Sequence, residues 1–275
     1  MKISFFGYYA LQHTREGRFS TDEESFRHFK KLGADYCDIF ASCLKNYPLT
    51  YYLESARNAG VDAGCLISFE NIADKNPAER KKYIMRTKEQ IDLMHKHSIP
   101  MMMLAPQTGE AENPCEFEAM REYLIEGFSE VVNYAKGAGI CVALENQSLH
   151  RRPDSKISDI RYILDNVEGL GYVLDTGNFY CVGEDVLEAY SKLKDRLVHV
   201  HCKDWKKDPF GDFVRENIPR FRGVELGKGE VELSELITEM KKDGYSGLLT
   251  AEVNSPITWE EMDDCIKFLK TEIER

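Results

Sequence analysis

Four residues that could bind a metal stand at the ends of apolar runs in the second half of the chain. The runs VALE, VLD, HVH and TAE end in Glu145, Asp175, His201 and Glu252. If these runs are neighbouring strands, three carboxylates and one imidazole meet in one place. Carboxylates that are confined together repel one another and raise each other's pKa, and a divalent cation removes that conflict. The pattern therefore predicts a metal site.

The donor set narrows the choice of metal. Three oxygen ligands and one nitrogen, with no thiolate, favour a fairly hard cation, so Mn²⁺ fits best and Mg²⁺, Co²⁺ or Zn²⁺ would also fit. The alternative is that each acidic residue simply caps its strand in contact with solvent.

Asp175 also allows a different interpretation, because it opens the tripeptide Asp-Thr-Gly at residues 175–177. An aspartic protease presents its catalytic carboxylate in this way, but it needs two such carboxylates that share a proton. This chain has one copy. We therefore interpret Asp175 as a metal ligand and Gly177 as the turn that leaves the strand.

Eight apolar runs of strand length must position these residues, and they alternate with helical patterns. The runs are ISFFGYYA, YCDIFAS, AGCLISF, PMMMLAP, ICVALEN, GYVLDTG, LVHVHCKD and LLTAEVN. This alternation predicts a single-domain (β/α)8 TIM barrel over residues 1–275, whose active site lies where the strands end. An open doubly wound sheet would need a Gly-rich turn after an early strand, and the only comparable stretch, GKGEV, comes late. Residues 205–228 form the one long segment without a regular pattern, and we predict a lid there.

The net charge, apolar runs and cysteine spacing of the chain limit which partners and locations are expected. A formal net charge of −11 argues against nucleic acid, which is bound mainly through clustered Lys and Arg. No run approaches the roughly 18 apolar residues that a membrane helix needs. The eight cysteines include no C-x-x-C pair, which favours a reducing, cytoplasmic location.

Several motifs together resemble the sugar phosphate isomerase/epimerase family of xylose isomerase-like TIM barrels, over nearly the whole chain. They are GADYCDIFAS, VALENQ, VLDTGNF, HVHCKDW, ELGKGEVEL and TAEVN. The resemblance implies that Glu145, Asp175, His201 and Glu252 bind one divalent metal. It further implies that Glu145 and Glu252 act as acid and base on the carbon next to a carbonyl, and that the partner is a small carbohydrate. A homo-oligomer is compatible with the sequence.

The chemistry would proceed through an enediolate, which a metal stabilises. Return of the proton to the opposite face gives epimerisation, and return to the neighbouring carbon gives isomerisation. A lyase that dehydrates an inosose or keto-sugar would use the same intermediate, and a non-catalytic sugar-binding barrel is a further alternative. A phosphodiesterase of the AP endonuclease type would need many more histidines at strand ends than this chain offers.

Three residues are predicted to contact the substrate, namely Asn178, Lys203 and Trp205. The alternatives are a salt bridge to a neighbouring strand for Lys203 and packing for the lid for Trp205. Asn178 stands where ketose 3-epimerases of the group usually carry His, and Arg151 and Lys207 also depart from their pattern. A free ketohexose 3-epimerase is therefore not expected. The neighbouring Arg151 and Arg152 suggest an acidic or phosphorylated substrate. Asp38 could orient a substrate hydroxyl or anchor the barrel, and His199 is expected to form hydrogen bonds beneath His201.

Overall fold

The computed structural model describes residues 1–214, 219–253 and 258–275. Within them eight strands form a closed parallel barrel in the order β1-β10-β7-β6-β5-β4-β3-β2. These strands are β1 (Lys2–Phe6), β2 (Ala34–Phe40), β3 (Asp62–Ser68), β4 (Met101–Leu104), β5 (Cys141–Glu145), β6 (Gly171–Asp175), β7 (Leu197–Cys202) and β10 (Leu248–Ala251). Each overlaps one of the eight predicted runs, so the predicted (β/α)8 barrel is confirmed.

Ten α-helices, more than the eight predicted, occur in the described part of the chain. They are α1 (Tyr8–Arg15), α2 (Asp22–Leu32), α3 (Leu49–Asn58), α4 (Pro77–His97), α5 (Pro114–Ala138), α6 (Ile157–Asn166), α7 (Thr176–Val182), α8 (Val186–Leu193), α9 (Leu233–Lys242) and α10 (Trp259–Glu274), with a 3₁₀ turn at Ala41–Lys45. One predicted run is divided between two elements, because Tyr8 to Ala10 of ISFFGYYA begin α1 instead of extending β1. No described helix is long and apolar enough to cross a membrane.

The segment predicted to be irregular, residues 205–228, contains two short paired strands. Strands β8 (Asp204–Lys207) and β9 (Phe221–Val224) pair antiparallel, with Trp205 opposite Gly223. Residues 215–218 of the predicted lid lie outside the described residues. The lid function itself stays a prediction.

Contacts divide the chain into two compact units, which we describe separately. The first unit contains Met1–Gly64 and His199–Arg275, and the second contains Cys65–Val198. The aromatic core of the first unit includes Phe5 and Phe29, whose rings stack with centroids 4.1 Å apart. In the second unit one face of α5, including Leu124 and Phe128, is fully buried. The extent of the predicted domain, residues 1–275, stays a prediction.

The register between adjacent strands shows which residues lie beside the polar residues of each unit. In the first unit Thr250 of β10 lies beside His201 of β7, and Leu248 lies beside His199. In the second unit Glu145 of β5 lies beside Val173 of β6. Because side chains alternate along a strand, His199 and His201 point to the same side of the sheet.

Candidate metal centre

The four predicted ligands all occupy strand ends. Glu145 and Asp175 are the last residues of β5 and β6, His201 is the next to last residue of β7, and Glu252 directly follows β10. Each offers a ligand atom, and these atoms all lie within 4.8 Å of one another. Glu145, Asp175 and His201 are buried, and Glu252 is partly buried.

In the first unit, charged neighbours hold Glu252. Its Oε2 lies 3.3 Å from Nδ1 of His201, and its Oε1 forms an ion pair with the ammonium of Lys203, which is only 7% exposed. Burial alone would raise the pKa of Glu252, but the charge of Lys203 and the interaction with His201 outweigh it and lower the pKa to about 2. Glu252 is therefore a carboxylate at neutral pH. The predicted substrate residue Lys203 already has a carboxylate partner.

Behind His201 lies a buried polar cluster that belongs entirely to the first unit. The carboxylate of Asp38 accepts hydrogen bonds from Ser4, Thr250 and His199, over distances of 2.7 to 2.9 Å. Burial alone would raise the pKa of Asp38, but the adjacent His199, which is hydrogen-bonded to it, and the nearby His201 lower the pKa below its usual range. Asp38 and His199 are thus bound to each other, as expected for His199. The alternative for Asp38, contact with a substrate hydroxyl, stays a prediction.

In the second unit, neutral groups hold Asp175. Its side chain caps α7 by accepting a hydrogen bond of 2.9 Å from the backbone N–H of Asn178. Its backbone N–H and C=O both bond to the side-chain amide of Asn146, at 2.8 Å each. The turn that we assigned to Gly177 is wrong, because Gly177 lies inside α7. The strand ends directly in a helix, and Asp175 is the residue that caps it.

Glu145 and Asn178 are also held by neutral contacts within the second unit. Nε2 of Gln147 lies 3.3 Å from Oε2 of Glu145. Nδ2 of Asn178 donates to the backbone oxygen of Asn146 at 2.9 Å. Asn178 thereby supports the loop after β5, in addition to the substrate contact predicted for it.

Trp205 is buried in β8. Its ring lies 5.0 Å from that of Phe213, and among the described residues its indole N–H has no hydrogen-bond partner. Next to it, Asp204 accepts hydrogen bonds from the backbone N–H groups of Gly227, Gly229 and Val231. Burial raises the pKa of Asp204, although these donors oppose the shift. A Cβ at Gly229 would lie 2.0 Å from Oδ1 of Asp204, so this close approach requires glycine.

The two neighbouring arginines, Arg151 and Arg152, lie in different environments. Arg152 is buried, bonded to both oxygens of Asp154 and to the backbone oxygens of Pro106 and Thr108. Arg151 is exposed and lies 3.6 Å from Glu110. The suggestion that both arginines bind an acidic substrate is therefore wrong for Arg152, whose guanidinium is used within the loops.

Three residues near these sites were missed by sequence reasoning, namely Tyr8, Asn146 and Asp204. Asn146 follows Glu145 directly, so its position beside a predicted ligand was a usable signal. Tyr8 lies close enough to Glu252 that the carboxylate adds to the effect of burial in raising the pKa of the phenol. The contacts of Asp204 could not be found from sequence, because they depend on how the chain returns at residues 227–231.

The donor set fits a divalent cation. The four side chains offer three oxygens and one nitrogen in a mostly buried space, and buried carboxylates in such numbers need positive charge nearby. Lys203 supplies one positive charge, beside Glu252. No cysteine belongs to this group, which agrees with a hard or borderline cation.

Comparison with known proteins agrees with the fold. An inosose isomerase of Halalkalibacterium halodurans is 22% identical over 261 residues, which cover 90% of this chain and 88% of that protein. An inosose dehydratase of Mesomycoplasma hyopneumoniae is 25% identical over 138 residues, so this match spans only 46% of the relative and 48% of this chain. The crystal structure of an IOLI protein with a bound zinc atom superposes with a TM-score of 0.76 at 19% identity, covering 99% of this chain and 96% of that one. The family model described as xylose isomerase-like TIM barrel matches residues 24–272, and the chain belongs to that family.

Proposed function

We propose that this chain is a divalent-metal-dependent isomerase or epimerase of a sugar, sugar phosphate or related keto-sugar. One observation carries the proposal: the ligand atoms of Glu145, Asp175, His201 and Glu252 lie within 4.8 Å of one another. Relatives named as an inosose isomerase and an inosose dehydratase support a polyol or keto-sugar substrate. Such a substrate is small and uncharged or anionic, and we propose a cytoplasmic location for the enzyme.

All four residues would hold one ion, and Mn²⁺ is our first choice for it. The structural relative with bound zinc supports Zn²⁺ as an alternative, and the oxygen-rich donor set also suits Mg²⁺ or Co²⁺. When bound, the ion would supply Lewis-acid stabilisation of the negative oxygen that develops on the substrate.

The two glutamates would move the proton. One carboxylate removes the hydrogen from the carbon beside the carbonyl, and the C–H electron pair becomes the double bond of an enediolate. The other glutamate, which must start as the neutral carboxylic acid, gives its proton to the opposite face of that carbon or to the neighbouring carbon, and the first glutamate keeps the proton that it removed. Glu252 suits the role of base because it is ionised and because His201 and Lys203 fix its orientation.

Asn178, Lys203 and Trp205 would contact the substrate. Lys203 is placed beside Glu252, so its ammonium could hold a substrate oxygen near the proton-transfer step. The buried indole N–H of Trp205, which lacks an acceptor among the described residues, suits a substrate oxygen. Asn178 is oriented by its bond to the backbone of Asn146.

Dehydration is a second candidate. The placement of the Lys203 ammonium favours it, because a buried acid next to the base could donate a proton to a departing hydroxide. The inosose dehydratase among the relatives supports the same reaction, although the match covers less than half of that protein.

The decisive experiment is proton exchange. The purified protein is stripped with EDTA, reloaded with Mn²⁺ and incubated in D₂O with a panel of inososes, ketoses, sugar phosphates and keto-glycosides. We expect deuterium at the carbon next to the carbonyl of one substrate, and loss of exchange in Glu145→Gln. New enone or diketone absorbance identifies dehydration instead. No exchange and no product across the panel would contradict the proposed function.

A further inference from the structure

Asp38 is a fully buried carboxylate of β2 that the proposed metal site does not include. Burying a charge is costly unless several donors satisfy it. Side chains from three neighbouring strands provide these donors: Ser4 of β1, Thr250 of β10 and His199 of β7. All of them belong to the first unit.

The donors fix both oxygens of the carboxylate. Oδ1 accepts from the Ser4 hydroxyl at 2.9 Å, and Oδ2 accepts from the Thr250 hydroxyl at 2.7 Å and from Nε2 of His199 at 2.8 Å. Nδ1 of His199 has no hydrogen-bond partner among the residues that the structure describes, so Nε2 is the nitrogen that holds His199 in place. The carboxylate therefore cannot turn without breaking several bonds.

His201 lies between this carboxylate and that of Glu252. Nε2 of His201 is 3.5 Å from Oδ2 of Asp38, close enough for electrostatic attraction but too far for a hydrogen bond, and Nδ1 is 3.3 Å from Oε2 of Glu252. The rings of Phe6 and His199 lie edge-on to the imidazole, with centroids 5.3 and 5.1 Å away. The ring is thus confined with one nitrogen facing each carboxylate.

We propose that Asp38 is a positioning residue that keeps the proton of His201 on Nε2 and so presents Nδ1 as the metal-binding nitrogen. A ligating histidine commonly donates its other ring N–H to a carboxylate, which fixes both the tautomer and the orientation of the ring. This inference rests on the proposed function, because it takes His201 to be a metal ligand. Ser4, Thr250 and His199 act through Asp38 by holding its oxygens in place.

If Asp38 had a purely structural role, different results would be expected for the tautomer of His201 and for the metal affinity. Ser4, Thr250 and His199 alone would satisfy the carboxylate and tie β1, β2, β7 and β10 together. In that case the tautomer of His201 and the metal affinity would not depend on Asp38 beyond any loss of folding. Measurements of tautomer and affinity therefore separate the two roles.

The first test needs no variant at Asp38. The full chain is labelled with ¹⁵N-histidine, stripped with EDTA and loaded with zinc, and its imidazole resonances are recorded, with His201→Gln used for assignment. We expect Nε2 of His201 to carry the proton and Nδ1 to show the shift of a zinc-bound nitrogen. A proton on Nδ1 with zinc on Nε2 would overturn the proposal.

The second test compares two substitutions on β2. Asp38→Asn keeps the shape and removes the charge, and Asp35→Asn is the matched control, because Asp35 is about half exposed and pairs with Lys30. We expect the zinc dissociation constant to rise about 10- to 100-fold in Asp38→Asn and to stay unchanged in Asp35→Asn. A folded Asp38→Asn protein with wild-type zinc affinity would overturn the proposal. If Asp38→Asn does not fold, zinc on Nε2 of His201 in the wild-type protein would still overturn the proposal.

Failure of this inference can be told apart from failure of the proposed function. A wild-type chain that binds no zinc, Mn²⁺ or Mg²⁺ contradicts both. A wild-type chain that binds zinc through Nε2 of His201, or binds it equally well in Asp38→Asn, contradicts the role of Asp38 alone.

Discussion

The two compact units each supply two of the proposed ligands, but they hold them by different means. In the first unit Glu252 contacts a buried ammonium and an imidazole, and His201 lies against the carboxylate of Asp38. In the second unit Asp175 is fixed by the amide of Asn146 and a backbone N–H, and Glu145 contacts the amide of Gln147. Charged partners set protonation as well as position, whereas neutral partners set position. The contacts of Glu252 therefore set its ionisation as well as its position, whereas the contacts described within the second unit position Asp175 and Glu145.

The largest expected effect comes from neutralising the two glutamates. Both Glu145→Gln and Glu252→Gln should lower turnover about 10²- to 10⁴-fold, because each removes a proposed acid or base. The stability of the metal-free protein should differ between them. Glu252→Gln removes the carboxylate that pairs with the buried Lys203 and should cost about 3 kcal/mol in the free energy of unfolding, whereas Glu145→Gln should cost less than about 1 kcal/mol.

Urea unfolding of the metal-free variants measures this difference. Glu239→Gln is the control, because Glu239 forms an exposed pair with Lys242, and it should change the stability by less than about 0.5 kcal/mol. Equal losses of unfolding free energy in Glu145→Gln and Glu252→Gln would contradict the difference between the contacts of these two residues.

The next effect tests the neutral scaffold of the second unit. Asn146→Ala leaves the Tyr172 hydroxyl and both backbone groups of Asp175 without their amide partner, which should cost about 2 to 3 kcal/mol. Tyr172→Phe removes one of these bonds and should cost about 1 kcal/mol. Chemical denaturation checks both values, and a cost for Asn146→Ala no larger than that for Tyr172→Phe would show that the amide does not fix Asp175.

A smaller effect separates the two roles of Asp175. Asp175→Asn keeps an oxygen that can cap α7, whereas Asp175→Ala removes it and should cost about 1 kcal/mol more. Both variants should lose most of the metal affinity. Thermal unfolding without metal and zinc titration measure the two properties, and equal stability of both variants would mean that the cap contributes nothing.

The smallest effect concerns a charged cluster on α1, α2 and α10 of the first unit. Burial, together with the charge of Arg18, lowers the pKa of His13 to about 4. As the pH falls, His13 of the unfolded chain therefore takes up a proton near pH 6.5, whereas His13 of the folded chain does so only near pH 4. The stabilisation from neutral His13 is complete above pH 6.5 and is lost as the pH falls towards 4. Partial exposure of Arg18 and His28 screens the effect, so we expect a loss of about 1 kcal/mol.

His13→Phe checks this expectation, because it keeps a ring against Phe29, with which His13 stacks at 5.3 Å. Unfolding free energies at pH 7, 5.5 and 4 should fall less steeply in the variant than in the wild-type chain. If the unfolding free energies of the variant and the wild-type chain fall equally with pH, His13 does not cause the loss of stability in acid.

The strands could be predicted from sequence because buried parallel strands leave continuous apolar runs, and each of the eight runs overlaps one barrel strand. The strand ends also identified Glu145, Asp175, His201 and Glu252 as candidate ligands. The supporting contacts could not be predicted in the same way. The bond between Asp38 and His199 joins residues 161 positions apart, and that between Asp38 and Thr250 joins residues 212 apart. Such pairs depend on barrel register, which a single sequence does not encode locally.

The pairing of β8 with β9 was missed for a related reason. The two strands are short and polar, and pairing between Trp205 and Gly223 depends on the intervening chain. The role of Asp175 as a helix cap was missed because Thr176-Gly177 was interpreted as a turn. A glycine inside a short helix is unfavourable by itself, and here the cap and the burial of α7 outweigh that preference.

Metal stoichiometry tests the central claim most directly. The EDTA-treated chain is titrated with zinc by calorimetry, and metal content is measured after gel filtration for the wild type and for Glu145→Gln, Asp175→Asn, His201→Gln and Glu252→Gln. We predict one tightly bound ion per wild-type chain and a large loss of affinity in each of the four variants. A wild-type chain without a stoichiometric site, or four folded variants with undiminished affinity, would contradict the account.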